Sequence, residues 1–231
     1  MNQYEIEIIE EEKLNVYANL GKAYVKTIQN IADPQIQQTN DSLFRTLNCM
    51  KLEDGYSLGL RLATHQGMGD ESWFFVYESE KGPQEYLNKM HSLTAKFEKR
   101  VSFDHILVQR TEMGAWQAHL YSIATTLLPV FWHGGYICRR YIFTHDDLKH
   151  LYLLAEMQFE DTILCGINAK VSPEIELQGN VALIRCCYWN EWRGLVRETV
   201  KMVFEENTIA IDKCELVGEE VLFEYDCGIC F

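Results

Sequence analysis

The stretch MGAWQAHLYSIATTLLPVFWHGGYIC, residues 113–138, carries no formal charge, in a chain where 24% of the residues are charged. So long a gap indicates where the interior of the protein lies. The stretch is long enough to cross a bilayer, since about 20 mostly apolar residues suffice. Polar residues interrupt its apolar surface throughout, however, and lipid would leave those side chains unpaired. We therefore expect a buried helix, a turn and a buried strand here, and not a membrane span.

The sequence before this stretch is mainly helical in pattern, with strands between the helices. Apolar residues recur at steps of three and four over residues 14–31, and Asp33-Pro34 predicts the end of that helix, because proline disfavours α geometry in the preceding residue. The period then changes to two. Alternation over residues 56–63 predicts a strand, and we expect a second, antiparallel strand over residues 72–78. Residues 103–109 predict a third strand.

The sequence after the uncharged stretch predicts one helix and then a run of strands. Thr144, followed three residues later by Asp147, has the spacing of a capping box. Turn formers, Gly218 among them, separate five strand-like stretches: residues 162–171, 181–189, 195–204, 208–216 and 220–226. Helices first and strands last predict an α+β fold: N-terminal helices and a predominantly antiparallel sheet, with a C-terminal β-meander.

Chain length and composition favour one domain. A chain of 231 residues can bury about 70% of its unfolded surface, which suffices for a core without disulfides or metal. Only four prolines are present, and no stretch has the composition of an interdomain linker. We therefore predict a single domain over residues 1–231, with residues 1–50 as a possible helical N-terminal arm packed on it.

The net charge of −13 is concentrated at the two ends of the chain. Residues 1–13 hold five acids and one lysine, and residues 191–231 hold ten acids and four basic residues. Binding to nucleic-acid phosphates or to anionic membrane surfaces requires the opposite sign. We therefore expect no nucleic-acid or membrane partner, whereas a basic protein partner would be attracted.

The first residues lack the basic and apolar regions of a signal peptide, so we expect a cytoplasmic protein whose eight cysteines are reduced. Cys227 and Cys230 have the Cys-x-x-Cys spacing that suits zinc or redox chemistry. No second such pair accompanies them. We therefore expect neither a bound metal nor another cofactor.

One candidate ligand pocket can be named around the uncharged stretch. Arg139 and Arg140 directly follow it, and one of the two must face inward if residues 136–143 form a strand. A buried arginine needs an acidic partner or an anionic ligand. The candidate ligand-binding residues are Trp116, His119, His133 and Arg139, with Arg139 clamping an anion and a histidine serving as acid or base. No set of catalytic residues can be assigned.

Two hypotheses for function follow. In the first, the chain is a non-enzymatic protein-binding module, regulatory or neutralising, that acts on a basic partner through its C-terminal acidic sheet. In the second, it is a small-molecule-binding protein or an enzyme with the apolar pocket just described. The lack of a recognisable catalytic constellation favours the first. The sequence makes no prediction of the oligomeric state.

Overall fold

A computed structural model describes the chain over residues 3–32, 44, 46–65, 69–83, 85, 103–127, 139–154, 168–206 and 210–225. The described residues include the helices α1 (Gln3–Ala32), α2 (Glu112–Leu127) and α3 (His145–Leu154). The strands of the described residues are β1 (Met50–Leu52), β2 (Tyr56–His65), β3 (Gly69–Glu78), β4 (Ile106–Val108), β5 (Arg140–Ile142), β6 (Glu174–Gln178), β7 (Val181–Asn190), β8 (Gly194–Phe204) and β9 (Ile211–Phe223).

The largest sheet has five antiparallel strands. Strand β7 pairs with both β5 and β6 along one edge and with β8 along the other, and β8 pairs with β9. Strands β1 and β4 form one smaller antiparallel pair, and β2 and β3 form another. The fold is therefore α+β with mostly antiparallel strands and a C-terminal meander, β7 to β9, which confirms the predicted fold class.

The two faces of β7 belong to different parts of the core. Cys186 and Tyr188 point toward α2 and join the main apolar cluster, whereas Cys187 and Trp189 point away and pack with Leu148 of α3. Helix α1 packs against α2 and contributes four buried residues, Tyr17, Ala18, Tyr24 and Ile28, to the main cluster. Helix α1 is thus in contact with α2, while the single domain and its possible N-terminal arm over residues 1–50 stay a prediction.

The uncharged stretch supplies the centre of this core. Its described part lies in α2, where the side chains from Ala115 to Tyr121 are all buried. Among the described helices, none combines the length and the apolar content that a bilayer crossing requires. Residues 128–138 lie outside the described part of the chain. Helix α1 is described as far as Ala32, just before Asp33-Pro34, as predicted.

Strand β4 is shorter than the prediction of residues 103–109. Residues 104 and 105 form a turn instead, and His105 has a φ of 61°, which is incompatible with an extended strand. Strand β6 was missed by the sequence pattern. Of the stretch predicted at 162–171, residues 168–171 are not a strand, and the others lie outside the described residues.

Strand β9 runs through Gly218, where the sequence predicted a break between two strands. The pairing between β8 and β9 shifts its register between Thr199 and Val200, directly beside the Thr199–Gly218 pair. A bulge of this kind lets a strand continue with a local bend. The glycine therefore marks a bulge inside one 13-residue strand, and no turn is made there.

The predicted capping box begins α3. The backbone N–H of Asp147 donates to the Thr144 hydroxyl at 3.3 Å, and the backbone N–H of Thr144 donates to the Asp147 carboxylate at 2.9 Å. These two bonds satisfy N–H groups that the first helical turn leaves without partners. Lys22 of α1 also donates to the Thr144 hydroxyl at 2.9 Å, so the cap joins α3 to α1.

Replacing Thr144 with alanine is expected to lower the free energy of unfolding by about 1 kcal/mol, because it removes the N-cap acceptor and the contact from Lys22. The measurement is urea denaturation followed by circular dichroism. Thr144→Ser, which keeps the hydroxyl, is the control, and its free energy of unfolding should lie within a few tenths of a kcal/mol of the wild-type value. Equal losses in the two variants would contradict the cap assignment.

Candidate functional site

Three neighbouring strands place polar side chains at one level of the sheet. Cys186 on β7 lies opposite Glu198 on β8, and Glu198 lies opposite Glu219 on β9. Residues opposite each other in an antiparallel ladder point to the same face, so Cys186 and Glu198 both face α2. His119 approaches them from that helix, which places an imidazole, a thiol and a carboxylate together in the core.

These three side chains form a closed triangle, called here the His–Cys–Glu triangle. Nε2 of His119 lies 3.2 Å from Sγ of Cys186 and 3.5 Å from Oε1 of Glu198. The third edge, from Sγ to Oε1, is 3.3 Å. Each of the three residues is only 1% exposed, so the triangle is shielded from water.

Two further side chains compensate the buried carboxylate of Glu198. Arg139 donates to its Oε2 at 2.5 Å, and the hydroxyl of Tyr141 donates to its Oε1 at 3.0 Å. Desolvating a carboxylate costs several kcal/mol unless opposite charge and hydrogen bonds offset it. Arg139 and Tyr141 provide that offset and at the same time fix the orientation of the carboxylate.

Arg139 reaches outward from the triangle to a second carboxylate. It donates to Glu219 at 3.1 Å and stacks over the ring of Tyr188 with its central carbon 4.5 Å from the centroid. Glu219 also accepts a bond from Tyr188 and one from Arg193, each at 2.6 Å. Although partial burial acts to raise it, these hydrogen bonds and arginine charges hold the pKa of Glu219 below its ordinary value.

Burial sets the protonation states within the triangle. It lowers the pKa of His119, an effect that the charge of Arg139 reinforces and that of Glu198 opposes. It also raises the pKa of Cys186 well above its ordinary value, and Glu198 adds to the rise. At neutral pH the imidazole and the thiol are therefore uncharged, and the contact of His119 with Glu198 is no ion pair. Nδ1 of His119 is buried and has no hydrogen-bond partner among the described residues.

The four residues of the predicted pocket have different places in the structure. Trp116 is fully buried and donates from its indole nitrogen to the backbone oxygen of Tyr17 at 3.0 Å, which ties α2 to α1. Its ring also stacks on His119, with 5.5 Å between the centroids. His119 and Arg139 meet through Glu198, and the partners of Arg139 are internal carboxylates. His133 lies outside the described residues.

Sequence reasoning assigned neither Glu198 nor Tyr141 to a site, and it did not place Cys186 beside His119. A signal for Glu198 was present, because residues 195–204 alternate and Glu198 falls in the apolar phase with Val196 and Val200. A carboxylate in that phase must face the core and requires a cation nearby.

An acidic groove lies at another part of the molecule, beside the start of β9. Its walls include four carboxylate side chains, a histidine, an arginine and the backbone near Ala210: Glu53, Asp104, His105, Arg110, Glu205 and Glu206. Arg110 donates to the backbone oxygens of Glu205 and Glu206 at 2.5 and 2.9 Å. His105 stacks on Tyr56, with 3.7 Å between the centroids, and its Nδ1 lies 2.8 Å from Glu53.

Strand β9 presents the third notable surface, called here the β9 edge. Among the described strands β9 pairs along its length with β8 alone and stands at the end of the sheet, while Ala210, directly before it, forms an antiparallel bridge with Leu107 of β4. Three of the five large apolar side chains that are exposed in the described residues lie on it: Leu216, Val217 and Val221. The other two, Val16 and Trp192, lie apart from each other in the sequence.

Comparison with protein-family models, with curated proteins and with solved structures finds no match for this chain. Cys227 and Cys230, the Cys-x-x-Cys pair, lie outside the described residues. The β9 edge and the acidic groove beside it are therefore the surfaces from which a function can be inferred.

Proposed function

We propose that this protein is a non-enzymatic binding module that takes up a basic protein segment along the β9 edge. The observation that carries the proposal is the concentration of exposed apolar side chains on this one strand. Large apolar side chains clustered on the surface of a soluble protein mark interaction sites more often than isolated ones do.

Position in the sheet explains how such a segment would bind. A terminal strand offers backbone N–H and C=O groups that an extended segment can pair with, which is the geometry of β-strand addition. In that mode the backbone bonds supply affinity, and alternate side chains supply specificity. Leu216, Val217 and Val221 would serve as the apolar contacts.

The negative charge around the β9 edge indicates that the partner is basic. Residues 210–225 hold five acids and one lysine, and the acidic groove lies at the beginning of β9 beside Ala210 and Ile211. Pairing β9 with a second copy of itself would bring these acids together, which is unfavourable. A partner strand rich in lysine or arginine removes that repulsion and is also attracted from a distance.

The setting that we propose is the cytoplasm. Four thiols of the described residues, Cys49, Cys186, Cys187 and Cys214, are free, and thiols persist where the cell keeps them reduced. The adjacent pair Cys186 and Cys187 points to opposite faces of β7. We propose a regulatory or neutralising role because a module that binds a partner at the β9 edge and catalyses no reaction acts on that partner by binding it.

The binding proposal is tested with a fluorescent 12-residue peptide of alternating lysine and valine, titrated by anisotropy at low and at high salt. Val217→Lys on β9 is expected to weaken binding at least tenfold, because it replaces an apolar contact with a repelling charge. The matched control is Val16→Lys on α1, since Val16 is 52% and Val217 49% exposed. Raising the salt should weaken the wild-type complex.

Three results would contradict the proposal: no binding of the peptide, an affinity unchanged by salt, or equal losses for Val217→Lys and Val16→Lys. Light scattering on the free protein tests the other possible occupant of the β9 edge, which is a second copy of the chain. A dimer that Val217→Lys dissociates would assign the β9 edge to a second copy of the chain and would overturn the basic partner.

A further inference from the structure

We propose that the His–Cys–Glu triangle is a binding site for one divalent transition-metal ion of the zinc class, coordinated by Nε2 of His119, Sγ of Cys186 and Oε1 of Glu198. These are the groups of the described residues whose ligand atoms all lie within 4.8 Å of one another. The site is independent of the β9 edge, so it can fail while the proposed function holds, and the reverse.

The size of the triangle fits such an ion. Zinc lies about 2.0–2.3 Å from nitrogen, oxygen and sulfur ligands, so two ligand atoms of a tetrahedral site are separated by about 3.3–3.6 Å. The edges of the triangle measure 3.2, 3.3 and 3.5 Å. Its three corners therefore match one face of a zinc tetrahedron almost without movement.

A count of hydrogens shows what the triangle lacks. At most two hydrogens belong to it, one on the Cys186 thiol and one on Nε2 of His119, because Glu198 is paired with Arg139 as a carboxylate. With the imidazole proton on Nε2, the two hydrogens bridge two edges of the triangle. With that proton on Nδ1, only the thiol hydrogen remains, and the lone pairs of Nε2 and Oε1 face each other across 3.5 Å in a buried place. A cation at the centre uses all three lone pairs at once.

The ligand set also selects the kind of metal. A thiolate and an imidazole favour zinc and related ions over magnesium and calcium, which take oxygen ligands. On binding, Cys186 releases its thiol proton to solvent and coordinates as thiolate, while the uncharged imidazole of His119 takes the tautomer with its proton on Nδ1, so that the lone pair of Nε2 can coordinate. Three protein ligands leave the fourth tetrahedral position for water or another molecule.

Arg139 and Tyr141 would then act as positioning residues. Tyr141 donates to Oε1 of Glu198, and Arg139 holds Oε2, so the carboxylate is oriented with Oε1 toward the other two ligands. Outer hydrogen bonds of this kind fix the geometry of metal ligands in proteins. The arrangement on β7 and β8 is rigid, because both strands are central in the sheet.

The test uses Co²⁺, which replaces zinc in tetrahedral sites and gives a thiolate-to-cobalt absorption band. The full chain carrying Cys227→Ser and Cys230→Ser, which removes the competing Cys-x-x-Cys pair, is refolded with Co²⁺ under a thiol-free reductant. Refolding gives the ion access to a site that is closed in the folded protein. We expect one bound Co²⁺ per chain with the thiolate band.

The matched variants are Cys186→Ser and Cys187→Ser on that background. Cys187 is the next residue, equally buried but on the opposite face of β7. The proposal requires that the band is lost in Cys186→Ser and retained in Cys187→Ser. Metal should also raise the Tm of the background protein and of Cys187→Ser, and this rise should be lost in Cys186→Ser. Absence of the band from the background protein overturns the site, and so does a band that survives Cys186→Ser or disappears in Cys187→Ser.

Discussion

Arg139→Ala should lower the free energy of unfolding by about 3 kcal/mol, as expected when one partner of a buried ion pair is removed. Glu198, which is 1% exposed in the wild type, would lose the charge that balances it, while Tyr141 and Cys186 would still donate to it. The effect should lie toward the lower end of the usual range, because the Arg139 side chain itself is 32% exposed. Equilibrium denaturation in urea measures it.

The matched control is the neighbouring arginine. The side chain of Arg140 is 52% exposed and lies 3.7 Å from Glu191, an exposed pairing that contributes about 1 kcal/mol or less. Arg140→Ala should therefore change stability little. If the two alanine variants lose similar amounts, Glu198 is not a desolvated charge that depends on Arg139.

A double variant separates the ion pair from packing. Glu198→Gln keeps the size of the side chain and removes its charge, so Arg139→Ala should cost less on that background than in the wild type. The difference measures the coupling between the two residues, which we expect to exceed about 1 kcal/mol. Simple additivity of the two substitutions would contradict the account of the pair given above.

Trp116→Ala should cost about 3–5 kcal/mol, the usual range for truncating a buried aromatic side chain. Trp116 is fully buried, and the variant also leaves the backbone oxygen of Tyr17 without its indole donor. The loss follows from an empty volume between α1 and α2 and has nothing to do with a ligand. Thermal and chemical denaturation of the variant give the value.

Trp192→Ala provides the comparison, since Trp192 is 37% exposed and should cost less than Trp116→Ala because less of its apolar surface is buried. A Trp116→Ala protein with unchanged stability would show that this residue is not a core residue, and would favour the pocket that the sequence predicted for it. A large loss for both tryptophans would contradict the placement of Trp192 at the surface.

Local patterns predicted much of this fold because their causes are local. The period of α1, the proline after it and the capping box at Thr144 each depend on residues within one or two turns of a helix. Strand alternation likewise predicted β2, β3, β7 and β8. Besides the missed strand β6 and the strand wrongly predicted over residues 168–171, the failures were at Gly218 and His105, where a bulge and a left-handed backbone conformation are set by the neighbouring strand and by packing.

The candidate site was only half predictable, for a related reason. One inward-facing arginine followed from the alternation at Arg139 and Arg140, and His119 could be placed beside Trp116 from helix spacing. Cys186 lies 67 residues from His119 and 12 from Glu198 in the sequence. The three residues belong to three different elements, so no short sequence motif marks them as a set of ligands. The register between β7 and β8 places Cys186 opposite Glu198, and a single sequence does not reveal that register.

The most direct test of the β9 proposal is amide hydrogen exchange of the intact protein with and without the lysine–valine peptide. Pairing of a strand with β9 hydrogen-bonds amides along residues 211–223, so their exchange should slow at saturating peptide, while Val16 and its neighbours on α1 remain unchanged. Slowing that is confined to other elements, or no slowing at saturation, would contradict the proposal that β9 is the binding surface.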